Sequence, residues 1–339
     1  MLLRLGAGML ICTTYLNSGP APPPITSFIN QSHNMHSSAI YTHVQDRYGD
    51  LADRSPTSEQ KRTERRIAQA FGYEAADLSS IPQAANLGVS CGNPLALANL
   101  REGETVIDLG SGGGIDVLLA SKKVGPRGKA TGVDMTKSML ELARKNAEKA
   151  GAFNASFVEA SITSIPLPDA TANCIISNCV VNLVPTVDKP LVFKEMFRLL
   201  QPGGRLAISD ILTRKELPQE VTNSLSFYVG CIAGASQVHE YEKYLSEAGF
   251  KDIAIVDTRS DLNVYRDLAQ EQMDFGKTDD KSEPAGCCGG AQVKNAAEGD
   301  LLEYDFNEWA GESSSLPIVE PRLTTDFHAG SFQIYAVKQ

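Results

Sequence analysis

Residues 104–125 read ETVIDLGSGGGIDVLLASKKVG, and this stretch limits what the chain can fold into more than any other. A short β-branched run ends in a glycine-rich turn, and the turn feeds straight into an apolar helical pattern. Glycines 110, 112 and 114 let backbone N–H groups approach a ligand where a Cβ would intrude. Such a turn, lying between strand and helix, faces the carboxyl end of a sheet, where open α/β folds bind their ligands. The same rhythm continues downstream. KATGVDM (129–135), ASFVEA (155–160), NCIISNC (173–179), RLAISDIL (205–212) and KDIAIVDT (251–258) predict further strands. Helical segments separate them: one from Thr136 to Ala150 stopped by Gly151, DKPLVFKEMFRLL stopped by Pro202-Gly203-Gly204, and EYEKYLSEAGF closing at Gly249. This alternation predicts an α/β fold, a doubly wound and mostly parallel sheet with helices on both faces. The last residues, SFQIYAVKQ (331–339), alternate in polarity and predict a final antiparallel strand returning to that sheet.

Two acids flank the glycine turn. Asp108 lies inside the first strand, and Asp134 ends the second, 20 residues beyond Gly114. A dinucleotide fingerprint requires G-x-G-x-x-G; Gly110 and Gly112 match it, but its last position is Ile115. An acid inside the strand, one residue removed from the first glycine, suits a cofactor that presents a cation rather than a pyrophosphate. The arrangement resembles the seven-stranded class of S-adenosylmethionine-dependent methyltransferases, as does the Pro-Gly-Gly turn in QPGGRLAISD. That resemblance implies that Asp108, Gly110, Gly112 and Gly114 cradle the methionine part of the donor and that Asp134 holds the ribose. It also implies that Met135 flanks the adenine, that Ser161 and Ile162 lie along its edge, and that Asn178 lines the sulfonium side. Many class members carry an acid where Ser161 stands.

Three cysteines point to the acceptor. Cys91 (VSCGNP), Cys179 (ISNCVVNLVP) and Cys231 (YVGCIAGA) each sit beside Gly or Asn in a segment expected at the carboxyl face of the sheet. Cys174, inside the fourth strand, reads as core, and Cys12 as incidental. Three converging thiolates suit a trivalent metalloid, which takes a pyramid of sulfurs and keeps a lone pair on its fourth side. Structural zinc usually takes four ligands and C-x-x-C pairs, which are missing here. The chain closely resembles the arsenite methyltransferases across residues 80–260, most specifically in GVDMT and SNCVVNLVP. The resemblance implies methylation of arsenite or its thiol conjugates by S-adenosylmethionine, with glutathione or thioredoxin as reductant. Cys91, Cys179 and Cys231 would then be the arsenic ligands. Cys287-Cys288, in a Gly-rich loop, reads either as a helper that captures arsenite or as an inert pair. The competing reading is a methyltransferase acting on carbon or oxygen of a quinone- or sterol-like molecule.

Composition narrows the partners. The 339 residues carry 31 Lys+Arg against 41 Asp+Glu, a net charge of −10, which argues against a nucleic-acid partner. Seven Cys without a ladder of spacings predict thiols in a reducing, cytoplasmic compartment rather than a disulfide framework. No apolar run is long enough for a transmembrane helix, and a monomer is expected. The organisation expected is an extension or leader (1–40, with a Pro-rich linker), a helical cap with an arsenic-binding loop (41–100) and a donor-binding domain (101–260). An acidic insertion (261–330) and the returning strand (331–339) complete it.

Overall fold

The structure, a computed structural model, describes residues 25–265, apart from 218, 223–227 and 229, together with residues 329–339. It divides into a unit of residues 1–39 and a unit of residues 40–339. The linker expected around residues 19–34 gives way from Ile25 to helix α1, Ile25–Asp53. Cys12, Cys287 and Cys288 lie outside the described residues.

Strands β1 (Thr105–Leu109), β2 (Lys129–Asp134), β3 (Ala155–Glu159), β4 (Ala172–Asn178), β5 (Leu200–Thr213), β6 (Lys251–Asp257) and β7 (Ala329–Val337) form one sheet in the order β3-β2-β1-β4-β5-β7-β6. The pairs β1–β2, β2–β3, β1–β4 and β4–β5 are parallel. The terminal strand β7 inserts antiparallel between β5 and β6, as its alternating sequence predicts. Strand order reverses between β1 and β4, which opens a crevice at their carboxyl ends.

Burial follows a period of two along the central strands. Ile107 and Leu109 of β1, Ile175 of β4 and Leu206 and Ile208 of β5 join the core that holds Phe193 and Tyr241. Val106, Cys174, Ile176 and Ala207 turn to the opposite core with Val117 and Leu118 of helix α5 (Ile115–Val124). Burial pushes the Cys174 thiol up to about 12, consistent with an inert core residue. β5 starts five residues earlier than the sequence pattern implies, at Leu200 rather than Arg205. The Pro-Gly-Gly turn is absorbed because β4 shifts register between Ala172 and Cys174 and because Gly203 and Gly204 bond the backbone of Lys338.

Ahead of the sheet lie α2 (Ser58–Ala70), α3 (Ala75–Ser79) and α4 (Pro94–Ala98). Asn93 caps α4 by accepting from the N–H groups of Leu95 and Ala96, with Pro94 in the first turn. Arg205 holds the other end of α4. Its Nε donates to Ala98 O at 2.6 Å and its Nη2 to Asn99 O at 2.9 Å, while two parallel bonds reach Glu104 at 2.9 and 2.8 Å. Burial opposes ionisation of Glu104, yet the Arg205 bonds win and hold its carboxyl below the usual range. The segment carrying Cys91 is thus tied to β5 through a forked cation. Arg205→Ala is expected to cost about 2–4 kcal/mol, because a half-buried carboxylate and two carbonyls lose their donor. Glu104 has a lowered pKa in the fold, so its contribution is present above the unfolded pKa and lost as pH falls through the folded one. Urea unfolding from pH 7 to 3 should therefore show a flatter acid limb in the variant than in the parent.

Candidate active site

The glycine turn sits at the carboxyl end of β1 and opens into a pocket. Gly110 has φ +70°, a Cβ there would run into Val180, and its N–H donates to Val133 O at 2.7 Å. Gly112 has φ +48°, and a Cβ at that position would meet nothing within 4 Å. The space above Gly112 is the pocket itself. The Gly112 N–H donates to Asp134 Oδ2 at 2.9 Å, and the Thr136 N–H donates to Asp134 Oδ1 at 2.8 Å. Burial raises the Asp134 carboxyl above its ordinary pKa while those backbone donors oppose the shift.

Met135, Ser161 and Ile162 line the same pocket, and so do Asn178 and Cys179 from the end of β4. Two predicted residues stand back from it. Gly114 is the N-cap of α5, packed against Ala143 and Phe157, so its role is to seat the helix. Asp108 is buried within β1; burial, followed by the charges of Asp116 and Asp134, drives its pKa well up. The sequence reading missed the roof, where Tyr41, Val44 and Tyr48 of α1 line the pocket. Their spacing is helical and was the available signal, although nothing local says which surface the stripe covers.

Cys91, Cys179 and Cys231 come together at one edge of this pocket. All three are buried, and their sulfurs lie within 4.8 Å of one another. Cys91 and Cys179 are joined as a disulfide with Cα atoms 5.4 Å apart. The Cys231 thiol donates to Cys179 O at 2.8 Å, and Tyr48 Oη lies 4.0 Å from its sulfur. Around them is a small apolar cluster that includes Val44, Ile67, Phe71, Leu183 and Ile211. Cys179 and Cys231 both hold left-handed backbone, with φ +60° and +67°. Each such residue costs about 1–2 kcal/mol, and strain of this kind gathers where a side chain must be aimed.

Asn178 ties the two regions together. Its Oδ1 accepts from the Cys91 N–H at 3.1 Å, and its Nδ2 donates to Gly92 O at 2.9 Å and to Tyr73 Oη at 2.8 Å. Tyr73 donates in turn to the carboxylate of Asp116, in the first turn of α5, at 2.8 and 2.9 Å. The Asn178 amide therefore braces the Cys91 turn as well as lining the pocket. Ser331 of β7 adds a bond to Cys91 O.

The model of a family described as "Methyltransferase domain" matches residues 100–249. The arsenite methyltransferase of Halobacterium salinarum is 43% identical over 214 residues, which span 61% of this chain and 54% of that protein. An arsenic(III) S-adenosylmethionine methyltransferase from Chlamydomonas reinhardtii, solved by crystallography, is 31% identical, with 64% of this chain and 71% of that one aligned and a TM-score of 0.46. Over these stretches the chain is similar to arsenite methyltransferases, and its residues 100–249 match the methyltransferase domain. It spans about half the length of the curated arsenite methyltransferases it matches. Phosphoethanolamine N-methyltransferase 2 of Haemonchus contortus is 15% identical and shares the fold, at a TM-score of 0.56 over 86% of this chain and 60% of that one.

The two turn glycines should respond differently to substitution. Gly112→Ala is expected to cost only about 1 kcal/mol of stability, since its Cβ meets open space, while abolishing detectable S-adenosylhomocysteine binding. Gly110→Ala should lower the melting temperature sharply, because Val180 blocks the Cβ. Calorimetric titration and thermal unfolding of both variants check the contrast.

Proposed function

We propose that the chain transfers methyl groups from S-adenosylmethionine to trivalent arsenic held by the thiolates of Cys91, Cys179 and Cys231. The observation that carries this reading is the convergence of the three sulfurs, within 4.8 Å of one another, with Cys179 lining the same pocket as Gly112 and Asp134. The kinship to arsenite methyltransferases supports the same acceptor.

The pocket fits the donor. Above Gly112 there is room that any Cβ would fill, and the carboxylate of Asp134 faces it with lone pairs left for ribose hydroxyls. In this reading Gly110 lets the donor's methionine part lie against backbone, Met135 flanks the adenine, and Ser161 and Ile162 lie along its edge. When bound, S-adenosylmethionine supplies a methyl carbon made electrophilic by its sulfonium charge.

The residues of the chain set up the acceptor. The Cys91–Cys179 disulfide is first reduced: it takes two electrons and two protons from two thiols of glutathione, or from the dithiol of thioredoxin, which leave oxidised. Three thiols then displace three hydroxyls from arsenous acid, forming three As–S bonds and three waters. The arsenic keeps its lone pair on the side the sulfurs leave open. With the donor bound, that lone pair would form the As–C bond as the donor's C–S bond breaks and S-adenosylhomocysteine leaves, and two electrons from the same thiol reductant would return the arsenic from pentavalent to trivalent before another transfer; a lone-pair nucleophile carries no proton, so no general base is required. The apolar neighbours Val44 and Leu183 exclude water, and the protein's main contribution is orientation. Residues 41–100 act as the cap with the arsenic-binding loop and 101–260 as the donor domain, in a cytoplasmic monomer. Among the described residues no helix is long and apolar enough to cross a membrane. Cys287 and Cys288 help load arsenite, so Cys287→Ser/Cys288→Ser slows turnover at limiting arsenite only.

Purified protein, arsenite, donor and glutathione, with arsenic speciation by chromatography and mass spectrometry, test the reading. Cys91→Ser, Cys179→Ser and Cys231→Ser should each lower methylated arsenic at least about a hundredfold, equivalent to about 2.7 kcal/mol of barrier. Binding of S-adenosylhomocysteine should stay unchanged. Full activity of Cys91→Ser on a quinone, with no methylated arsenic from the parent, would sink the proposal in favour of carbon or oxygen methylation.

A further inference from the structure

A buried lysine has no part in the chemistry above. Lys189 opens helix α6 (Lys189–Leu199) and is 1% exposed. Its ammonium donates to Gly234 O and, at 2.9 Å, to Ser236 Oγ. Both acceptors belong to the short loop after Cys231. The same loop is held twice more. Asn182 Nδ2 donates to Cys231 O at 3.1 Å and to Ile211 O at 2.6 Å, and the Thr213 N–H donates to Ser236 O at 3.0 Å. Gly234 packs so closely that a Cβ there would overlap the carbonyl of Asn182.

The geometry assigns Lys189 as a positioning residue that clamps the 231–236 loop and so holds the third sulfur beside the other two. This inference rests on the three-thiolate reading above. Two loop oxygens are sealed from water at this point, and a compact ammonium with three rotatable donors can serve both. Burying a cation is costly unless a charge answers it. Asp210 of β5, itself fully buried and accepting from Tyr241 Oη at 2.8 Å, supplies that charge. Burial pulls the lysine below its ordinary pKa, and the field of Asp210, then those of Glu240 and Cys231, push it back up. Cys231 meanwhile holds a left-handed backbone, which an L-residue abandons when its restraints are released. Removing the ammonium frees the Gly234 carbonyl, lets Cys231 relax, and withdraws its sulfur from the cluster.

The test uses the full-length chain, reduced and loaded with arsenite alone, and counts sulfur neighbours by arsenic K-edge X-ray absorption. The parent should show three sulfurs. Lys189→Met should show two sulfurs and an oxygen, with arsenite affinity about 10- to 100-fold weaker, the range expected when a charged hydrogen bond is lost. S-adenosylhomocysteine affinity should not change. Lys189→Met/Asp210→Asn removes both charges together, keeps the fold if the single variant does not, and should give the same two-sulfur spectrum. Ser236→Ala, which removes one acceptor only, should shift arsenite affinity in the same direction by less. Three sulfurs and parental arsenite affinity in the lysine variants would overturn the assignment. Parallel loss of both ligands would also overturn it, because it marks a general loosening. A parent that itself lacks three sulfurs would instead defeat the thiolate reading.

Discussion

The side-chain amide of Asn178 is the contact on which the site most depends. It stands at the end of β4, where strand order reverses, and its carbonyl oxygen and both amide N–H bonds are committed. One accepts from Cys91, and two donate to Gly92 and Tyr73. Asn178 is half-buried, and each of these groups would cost the fold free energy if left unpaired. Through them one residue ties the cap segment to the sheet and to the helix that follows the glycine turn. The next residue is Cys179, so the brace of the Cys91 turn sits beside a second of the three cysteines in sequence.

The same physical logic recurs around each cysteine. Ser331 reaches the carbonyl of Cys91 from β7, Ser209 O receives the N–H of Cys179, and Asn182 holds the carbonyl of Cys231. Backbone atoms of the sulfur-bearing turns are pinned, and the side chains are left to converge in an apolar setting. Two left-handed cysteines persist because their surroundings over-determine them. The cost of aiming the sulfurs is thus spread over elements that are far apart in sequence, β7 included.

Much of this was legible before any coordinates. Seven strands, their mostly parallel arrangement and the antiparallel return of the last one follow from alternation and from where Gly and Pro fall. Gly110, Gly112 and Asp134 announce a ligand turn by type and spacing. The boundaries were less legible: β5 absorbs Pro202-Gly204 because a register shift and Lys338 accommodate it, and neither is visible locally. Gly114 and Asp108 belong to the motif yet stand back from the pocket, since one seats a helix and the other is buried within the sheet. Tyr41, Val44 and Tyr48 carried only the weak signal of an amphipathic stripe, and nothing in the local sequence marks Lys189.

Local chemistry by itself determined that this chain builds a doubly wound sheet with a glycine turn at its carboxyl edge, because backbone conformation and hydrophobic period are properties of short segments. It also supplied three cysteines in turn-like surroundings. Only the tertiary structure decided that their sulfurs meet within 4.8 Å. That meeting depends on hydrogen bonds from Asn178, Asn182 and Ser331 to backbone far away in the chain, and such long-range pairings leave no mark on the residues that flank a cysteine.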